Sequence, residues 1–270
     1  PVMAARVLGQ MHEHLGDLRR ASDYRIIAAR ADPLNTTLLT FTVRRMLWLQ
    51  DEGRAIDLMQ NALASGLEPT EEFCQLLAQA YENKGRLNDA LVWRQRLTVL
   101  KPRSLRAWLD LADVNQLLGY QGPELAIRRS IWEKTSDIEH GLFFASRLDE
   151  CGMSRQLREF LASLVLVRPN DINVRRFIAA TVIKSRDLAE RKTVEDYIRQ
   201  WGKQDYNLRY DFATWLHEAL EPGAAQEYES LLAEDSDALA PEYRAKALGN
   251  LGRIEESAAI WEQQIAFHPM

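Results

Sequence analysis

The stretch AQAYENKGRLNDALVWRQRLTVLKP, residues 78–102, decides the fold of this chain. Its apolar residues recur at helical spacing on both sides of Gly85, and the stretch ends at Pro102. Glycine supplies the positive φ with which a chain leaves one helix and begins the next. Proline cannot continue a helix. The stretch therefore predicts two short antiparallel helices that are joined by a tight corner.

A small residue lies seven positions before the Gly85 corner, and such a residue recurs along the whole chain at steps of 32 to 35 residues. The recurring positions are Gly9, Val43, Ala78, Ala112, Ala145, Ala179, Ala213 and Ala245. Seven of these eight residues are glycine or alanine, as expected where two helices approach closely, because side chains at the contact set the interaxial distance. A period of this length is typical of helical repeat arrays.

Three further features follow the same period. A second small position is expected about twelve residues later, at Ala21, Ala55, Ala90, Ala126, Ala225 and Ser257, and Leu157 and Arg191 occupy it in two units. Glycine corners separate the two small positions at Gly16, Gly85, Gly119, Gly152 and Gly252. Prolines close several units at Pro33, Pro69, Pro102, Pro169 and Pro269. Strand signals such as alternating β-branched residues and Asn-Gly turns are almost absent.

On these residues the chain resembles the tetratricopeptide repeat (TPR) family. The family pattern is carried by Leu77-Ala78, Tyr81, Gly85, Ala90 and Pro102, by Leu8-Gly9, Gly16, Ala21, Ala28 and Pro33, and by Trp108, Leu111-Ala112 and Gly119. The resemblance implies an all-α, right-handed superhelical solenoid of about eight helix-turn-helix repeats that forms a single domain over residues 1–270. The units are expected at about 2–35, 36–70, 71–104, 105–137, 138–171, 172–205, 206–239 and 240–270. The unit at 172–205 lacks the corner glycine and the closing proline.

Composition limits the possible partners. The chain has 270 residues, 46% of them hydrophobic, and a formal net charge of −5. This acidic balance argues against nucleic acid as a partner, which usually requires a basic surface. No apolar run is long enough for a transmembrane span. The chain begins within a helical pattern and without methionine, so we expect it to be a segment of a longer protein.

The sequence contains no recognisable catalytic or metal-binding arrangement. His12 and His14 flank Glu13, but residues two apart on a helix point in nearly opposite directions. The motifs of zinc proteases, phosphate-binding loops, dinucleotide-binding folds and serine hydrolases are all missing. The sequence therefore predicts a non-catalytic segment with no cofactor and no metal. Two cysteines are too few to indicate a compartment.

The TPR resemblance implies a concave groove that is lined by the first helix of each unit and binds a partner protein or peptide. The groove positions carried over from the family are Arg6, Gln10, His14, Arg44, Trp48, Gln75, Gln79, Glu82, Asn83, Asp113, Gln116, Arg176, Tyr210, Thr214 and His217. The clamp with which some TPR proteins hold a C-terminal carboxylate is incomplete, because Phe41 stands where that clamp requires asparagine.

Several interpretations of function remain open at this stage. Divergent arrays of this kind are similar to the periplasmic scaffolds of bacterial outer-membrane exopolysaccharide export proteins, including the Pel type, which recruit polymer-modifying enzymes in biofilm formation. Such a role implies a periplasmic or outer-membrane-associated location, and the alternative is a cytoplasmic TPR adaptor or regulator. The unit around residues 71–104 also resembles a pentatricopeptide repeat, which would bind RNA. A catalytic domain could also be attached outside this segment.

Overall fold

The computed structural model describes residues 2–233 and 239–267, and within these ranges every regular element is helical. Pro269 and the end of the last expected unit lie outside the described residues, as do residues 234–238 of the expected unit 206–239. The chain divides into two compact units, residues 1–152 and 153–270, and this division falls inside the expected repeat 138–171.

The first unit consists of nine described helices. They are α1 Val2–His14, α2 Leu18–Ala31, α3 Thr36–Trp48, α4 Glu52–Ala64, α5 Glu71–Asn83, α6 Leu87–Leu100, α7 Leu105–Leu117, α8 Gln121–Thr135 and α9 Ile138–Glu150. Each odd-numbered helix from α1 to α7 packs against the even-numbered helix that follows it, and α3 also contacts α5. We call the odd-numbered helices of this unit its first helices.

The second unit contains seven described helices. They are α10 Ser154–Val167, α11 Ile172–Ser185, α12 Arg191–Gln200, α13 Tyr206–Glu218, α14 Ala224–Ala233, α15 Pro241–Asn250 and α16 Ile254–Phe267. A single 3₁₀ turn, Leu188–Glu190, precedes α12. Here α11, α13 and α15 are the first helices, and each packs against the helix that follows it; α11 also contacts α13, and α13 also contacts α15.

Short polar side chains explain where the first helices begin. Asn35, Thr70, Ser104, Asp171 and Asp205 each precede a first helix, and each accepts a hydrogen bond from a free backbone N–H of the first turn. Such a cap stabilises a helix by about 1 kcal/mol. The repeated position of the cap therefore sets the start of these five helices, whereas α15 begins after Ala240 without a side-chain cap.

The corners between paired helices confirm the role predicted for glycine. Gly16, Gly85, Gly119, Gly152 and Gly252 all have φ between 69° and 76°. At the Gly85 corner the N–H of Gly85 donates to the Glu82 carbonyl (2.9 Å), and the next N–H donates to the Tyr81 carbonyl (2.8 Å), which closes the end of α5.

Three corners adopt the same conformation without glycine. Gln50, Arg186 and Leu220 have φ of 58°, 58° and 57°, respectively. A left-handed conformation is unfavourable for a side chain with a Cβ atom. The packing of the helices on either side therefore imposes the corner even where the local sequence disfavours it.

The first small position is confirmed in every repeat. All eight residues of the set that begins with Gly9 and ends with Ala245 are buried. At Gly9 a Cβ atom would lie 3.3 Å from the Ala21 carbonyl oxygen of α2 and 3.1 Å from Cγ of Arg25. Large apolar side chains such as Met46 and Phe73 fill the core between α3 and α6.

The second small position is confirmed only in part. Ala21, Ala55 and Ala90 are buried, but Ala126 and Ala225 are exposed, so the prediction is wrong at these two sites. In α8 the packing position is occupied by Glu124, which lies two residues before Ala126 and is fully buried. In α14 it is occupied by Ala224, one residue before Ala225. Glu124 lies twelve residues after Ala112, so the regular spacing is kept in α8 and the shift to Ala126 was wrong, whereas in α14 the buried position moves by one residue.

These features confirm the predicted fold class, an all-α solenoid of TPR-like helix pairs. In the second unit one apolar cluster joins the α11/α12 pair to the α13/α14 pair, and Trp215 on α13 is buried in it with Phe212 and Tyr197. A single pair could not bury its apolar face alone, so stability arises from contacts between neighbours. Within the described residues no helix is both long and apolar enough to span a membrane.

Candidate partner-binding face

Clefts open between successive first helices, and they form what we call the first-helix face of each unit. In the first unit they lie between α1 and α3, between α3 and α5, and between α7 and α9. In the second unit one lies between α11 and α13. Their volumes range from about 280 to about 440 Å³, and side chains at equivalent places of the repeat line them.

The α3/α5 cleft brings together four of the residues predicted from the sequence. Arg44, Trp48, Gln75 and Gln79 line it, and its volume is about 440 Å³. The Trp48 side chain is 64% exposed, which is unusual for so large an apolar group. Nη2 of Arg44 lies 2.7 Å from Oε1 of Glu72 across the cleft. The cleft thus offers an aromatic surface, two amides and a charged pair.

The amides of this cleft are available to a ligand. Gln75 and Gln79 are both exposed. Neither has a side-chain hydrogen-bond partner among residues 2–233 and 239–267. A glutamine amide both donates and accepts, so it can pair with the backbone of an extended peptide.

The α1/α3 cleft contains two more of the predicted residues. Arg6 and Gln10 line it together with Thr37, Phe41 and the guanidinium group of Arg25, which reaches the cleft from α2. The Phe41 ring is 49% exposed and stacks on Arg25, whose Cζ lies 4.3 Å from the ring centroid. Phe41 therefore covers a buried cation at the edge of the cleft.

The α7/α9 cleft also has a phenylalanine stacked on a buried arginine, but here an aspartate pairs with that arginine. Phe143 stacks on Arg128 at 4.3 Å, as Phe41 stacks on Arg25. Asp113, a predicted residue, lines this cleft, and its Oδ1 accepts a hydrogen bond from Nη2 of Arg128 (2.9 Å). His140 also lines the cleft, although the sequence analysis did not place it in the groove.

The α11/α13 cleft of the second unit contains Arg176 and Thr214 together with Asp211. Nε of Arg176 donates to Oδ2 of Asp205 (2.6 Å), the residue that caps α13, and this hydrogen bond raises the pKa of Arg176. Burial raises the pKa of Asp211 above the usual value of an aspartate. The oxygen of Thr214 accepts a hydrogen bond from the Tyr228 hydroxyl (3.1 Å), so this residue contributes to the core as well as to the cleft.

Three predicted groove residues instead hold the helix pairs together. Tyr210 is only 7% exposed and packs in the core with Tyr228 and Tyr243, so its assignment to an open groove is corrected. Glu82 and Gln116 are partly buried, and each accepts hydrogen bonds from an arginine of the second helix of its pair. The family phasing placed them toward the groove, but a buried arginine draws their oxygens inward.

The remaining predicted residues are exposed but lie outside these clefts. Asn83 donates a hydrogen bond to Oε1 of Glu52 at 3.4 Å. The His217 ring stands edge-on to Tyr228, with centroids 6.2 Å apart. His14 is exposed at the end of α1. None of the three lines one of these clefts.

A set of buried arginines lies behind the first-helix face, and none of them was predicted from the sequence. Arg25, Arg94 and Arg128 occupy the same place in three helix pairs, and each side chain is less than a tenth exposed. Each binds the residue twelve positions earlier, which is Glu13 for Arg25 and a Glu or Gln in the other two pairs. An Arg that recurs at the repeat period with a polar residue twelve positions earlier is a signal that could have revealed them. In the second pair this place is held by Met59, which is also buried.

Arg94 is the most fully paired of these arginines. It donates from Nε and Nη2 to Glu82 (2.7 and 2.8 Å) and from Nη1 to Oδ2 of Asp110 (2.7 Å), and Asp110 also binds Arg106 (2.7 Å). Burial disfavours the charged form of Arg94, but the hydrogen bonds and charge of Glu82 outweigh burial and raise its pKa. Glu124 forms a second such network with Arg128 and Arg147.

Glu124 remains ionised although it is fully buried. Burial favours the protonated carboxyl group, but hydrogen bonds from Arg147 and Arg128 hold the pKa of Glu124 below its usual value. These networks join neighbouring helix pairs and bring no reactive group to the surface. Within residues 2–233 and 239–267 no cluster of three or more His, Cys, Asp or Glu side chains could hold a metal ion.

Comparison with known proteins supports the fold. No family model and no curated protein matches the chain. A solved structure of Naa15/Naa10 bound to HypK-THB matches 99% of this chain and 42% of that chain, with 13% identity and a TM-score of 0.59. A tetratricopeptide repeat protein from Parabacteroides merdae matches 92% of this chain and 98% of its own, with 16% identity and a TM-score of 0.47. YrrB, described as a TPR protein with an unusual peptide-binding site, matches 64% of this chain and 90% of its own, with 14% identity and a TM-score of 0.47. At these identities the likeness is one of fold.

Proposed function

We propose that this chain is a non-catalytic interaction scaffold that binds an extended segment of a partner protein on its first-helix face, with the α3/α5 cleft at the centre. The observation that supports this proposal is the meeting of Trp48, Gln75 and Gln79 in one cleft of about 440 Å³. Binding energy at protein interfaces is concentrated in a few aromatic and arginine side chains. An exposed tryptophan beside two amides without partners offers such an anchor, with backbone recognition next to it.

The fold is compatible with this role, because the similar Naa15/Naa10 structure was solved bound to HypK-THB. We propose a protein partner rather than nucleic acid since the chain has a net charge of −5. A single-stranded RNA oligonucleotide titrated at low salt tests the pentatricopeptide alternative. Tight, salt-sensitive binding of that RNA would replace the scaffold proposal.

The test of the scaffold proposal begins with a peptide selected against the whole chain from a displayed random library. Its affinity is then measured for the variants Trp48→Ala and Gln79→Glu. Loss of a central tryptophan costs an interface about 2 kcal/mol, so we expect Trp48→Ala to weaken binding about thirtyfold. Trp261→Ala is the matched control, because Trp261 is also exposed but lies on α16, a second helix.

Gln79→Glu has its own control in Gln95→Glu, which makes the same change on the exposed side of α6. We expect at least fivefold weaker binding for the first and no change for the second, because only the first removes an amide donor from the cleft. Equal affinity of all four variants and the unmodified chain would show that the selected peptide binds elsewhere, and the proposal would then fail.

The biological setting rests on sequence resemblance alone. We propose recruitment of polysaccharide-modifying enzymes in exopolysaccharide export, in the periplasm, as one role of this scaffold, and a cytoplasmic adaptor as the alternative. Fractionation of cells that carry the full-length protein separates the two locations. Co-purification with a polysaccharide-modifying enzyme, lost in Trp48→Ala, would support the first role.

A further inference from the structure

Arg25 in the α1/α3 cleft has a hydrogen-bonding group without a partner. Arg25 belongs to α2 and is 7% exposed. Its side chain lines the cleft beside Arg6 and Gln10. Nη2 of Arg25 pairs with Glu13. Nη1 is buried and has no hydrogen-bond partner within the described residues. A buried donor on a charged group is costly to leave unpaired, so this atom requires an explanation.

The equivalent arginines of two other pairs show what is missing. Nη1 of Arg94 donates to the carboxylate of Asp110, the sixth residue of the next first helix. The sixth residue of α3 is Phe41. Nη2 of Arg128 donates to Asp113, the ninth residue of its own first helix. In each of these pairs a carboxylate of the chain itself reaches the guanidinium group from the first-helix face.

The first pair lacks both carboxylates. Phe41 replaces the aspartate of the next first helix, and Gln10 replaces that of its own first helix. The amide of Asn35, which also lines the cleft, is already engaged, since its oxygen accepts from the backbone N–H of Leu38 and its nitrogen donates to Asp32. The buried arginine of the α1/α3 cleft therefore has one carboxylate partner, Glu13, where Arg94 and Arg128 each have two.

The charges around the cleft also favour an anion. Arg25 and Arg45 share the single carboxylate of Glu13, and Arg6 lines the cleft as a further cation. These four side chains carry a formal charge of +2 together. Burial lowers the pKa of Arg25, with Glu13 opposing this effect and Arg45 adding to it. An added carboxylate would relieve both the lost hydration and the repulsion between the arginines.

The Phe41 ring covers this site. Its ring stacks on the Arg25 guanidinium and is about half exposed, so it can turn toward solvent without leaving a hole in the core. We propose that the α1/α3 cleft binds the side-chain carboxylate of an acidic residue in a partner's extended segment, with Phe41 turning aside and Nη1 of Arg25 donating to that carboxylate. This inference rests on the proposed function, because the acidic residue belongs to a segment bound on the first-helix face. Arg6 is the second donor, placed at the mouth of the cleft.

The test uses three synthetic hexapeptides that differ in one group. The first has blocked termini and one central Glu, the second has Gln in its place, and the third is the Gln peptide with a free C-terminal carboxylate. Each is titrated into the full chain labelled with ¹⁵N-arginine, and the side-chain NMR signal of Arg25 is followed. We expect the Glu peptide to bind about tenfold more tightly than the Gln peptide, since a charge-assisted hydrogen bond is gained.

The first variant copies a residue that the chain itself has at the equivalent place of another repeat. Phe41→Asp introduces a carboxylate at the place equivalent to Asp110, which pairs with Arg94. Nη1 of Arg25 then becomes paired, and the preference for the Glu peptide should disappear. Phe41→Asn is its matched control, because it removes the same ring without adding charge, and it should keep the preference. Phe41→Asp should also melt at a higher temperature than Phe41→Asn, an expectation that needs no ligand.

Arg25→Met copies Met59, the buried residue at the same place of the second pair. Glu13 retains Arg45 as a partner in this variant, so no buried carboxylate is left alone. The Glu-to-Gln affinity ratio should fall to about one. Asn83→Asp adds a charge of the same sign on α5, outside the clefts, and should leave this ratio unchanged, which separates a local effect from general charge repulsion.

The outcomes distinguish this inference from the proposed function. Equal affinity for the Glu and Gln peptides, or no shift of the Arg25 signal up to the solubility of the Glu peptide, overturns it, while binding that depends on Trp48 would still support the scaffold. A preference for the free C-terminal carboxylate alone also overturns it, since the site would then recognise a chain end. Equal behaviour of Phe41→Asp and Phe41→Asn in both assays excludes Arg25 as the donor to the carboxylate.

Discussion

Replacement of Arg94 by methionine is the most informative test of how the helix pairs are joined. Three hydrogen bonds of 2.7 to 2.8 Å connect Arg94 of α6 to Glu82 of α5 and to Asp110 of α7. Arg94→Met removes all three and leaves two carboxylates in or near the core. Removing one partner of a buried ion pair costs about 3 to 5 kcal/mol.

The structure places the expected loss at the lower end of that range. Glu82 is about a quarter exposed and can reach water, and Asp110 keeps its ion pair with Arg106 at 2.7 Å. We therefore expect Arg94→Met to lower the free energy of unfolding by about 3 kcal/mol. Arg129→Met is the matched control, because Arg129 makes only an exposed pair with Glu133, and such pairs contribute at most about 1 kcal/mol.

The chain itself supplies the design of a rescue. The second helix pair has Leu47 and Met59 at the places of Glu82 and Arg94. Replacing a buried ion pair by apolar residues of similar volume is often neutral. The double variant Glu82→Leu/Arg94→Met should therefore recover about 2 kcal/mol of the loss, as a coupling that a double-mutant cycle measures.

Denaturant unfolding followed by circular dichroism measures these differences, and amide hydrogen exchange in α5 to α7 reports them locally, since repeat arrays can unfold in parts. An Arg94→Met variant within 1 kcal/mol of the unmodified chain would refute the claim that this network joins the pairs. A double variant whose loss equals the sum of the two single losses would refute the idea that the second pair shows an apolar equivalent.

Three further expectations follow from single positions. Leu220→Gly should stabilise the protein by about 0.5 to 1 kcal/mol in a thermal melt. Leu220 has φ of 57° and is 91% exposed, so the change relieves strain without loss of packing. A lower melting temperature would contradict this. Gly202→Ala should destabilise the protein by about 1 to 3 kcal/mol, since the new Cβ would lie 2.7 Å from the Tyr197 ring and 3.0 Å from the backbone of Ile198. Gly122→Ala should not destabilise it, because the space around Gly122 is open. Burial and a hydrogen bond to Asp205 raise the pKa of Tyr197 to about 12. The stability that this neutral phenol contributes is therefore present below pH 10 and lost as the pH rises toward 12, and Tyr197→Phe should remove that part of the alkaline loss seen in pH-dependent unfolding.

Local chemistry made the helix pairs predictable. The corner at Gly85 could be read from the sequence because only glycine adopts positive φ without strain, and the capping residues before the first helices act on their own neighbours in the chain. The small residues at Ala78 and its equivalents could be found since a close approach of backbones repeats with the fold. These features depend on contacts within one pair, which a repeating sequence displays directly.

The candidate site could be predicted only where exposure followed from the repeat. Trp48 and Gln79 were placed in the groove from their position in the unit, and they do meet in the α3/α5 cleft. Tyr210 occupies an equivalent kind of position but is buried, because Tyr243 from the next pair packs against it. Whether a side chain at a groove position stays open therefore depends on the neighbour that it meets.

The sequence by itself determined the all-α repeat architecture, the turns of the helix pairs, and the set of faces on which partners could bind. Only the tertiary structure decided which arginines are buried, that Glu124 rather than Ala126 packs inside α8, and that Arg25 lacks the carboxylate its equivalents possess. The physical reason is that an ion pair inside a repeat array joins residues of different helices, as Glu13 joins Arg45 from a position 32 residues away. The period fixes the place of each residue, but packing between pairs fixes its partner.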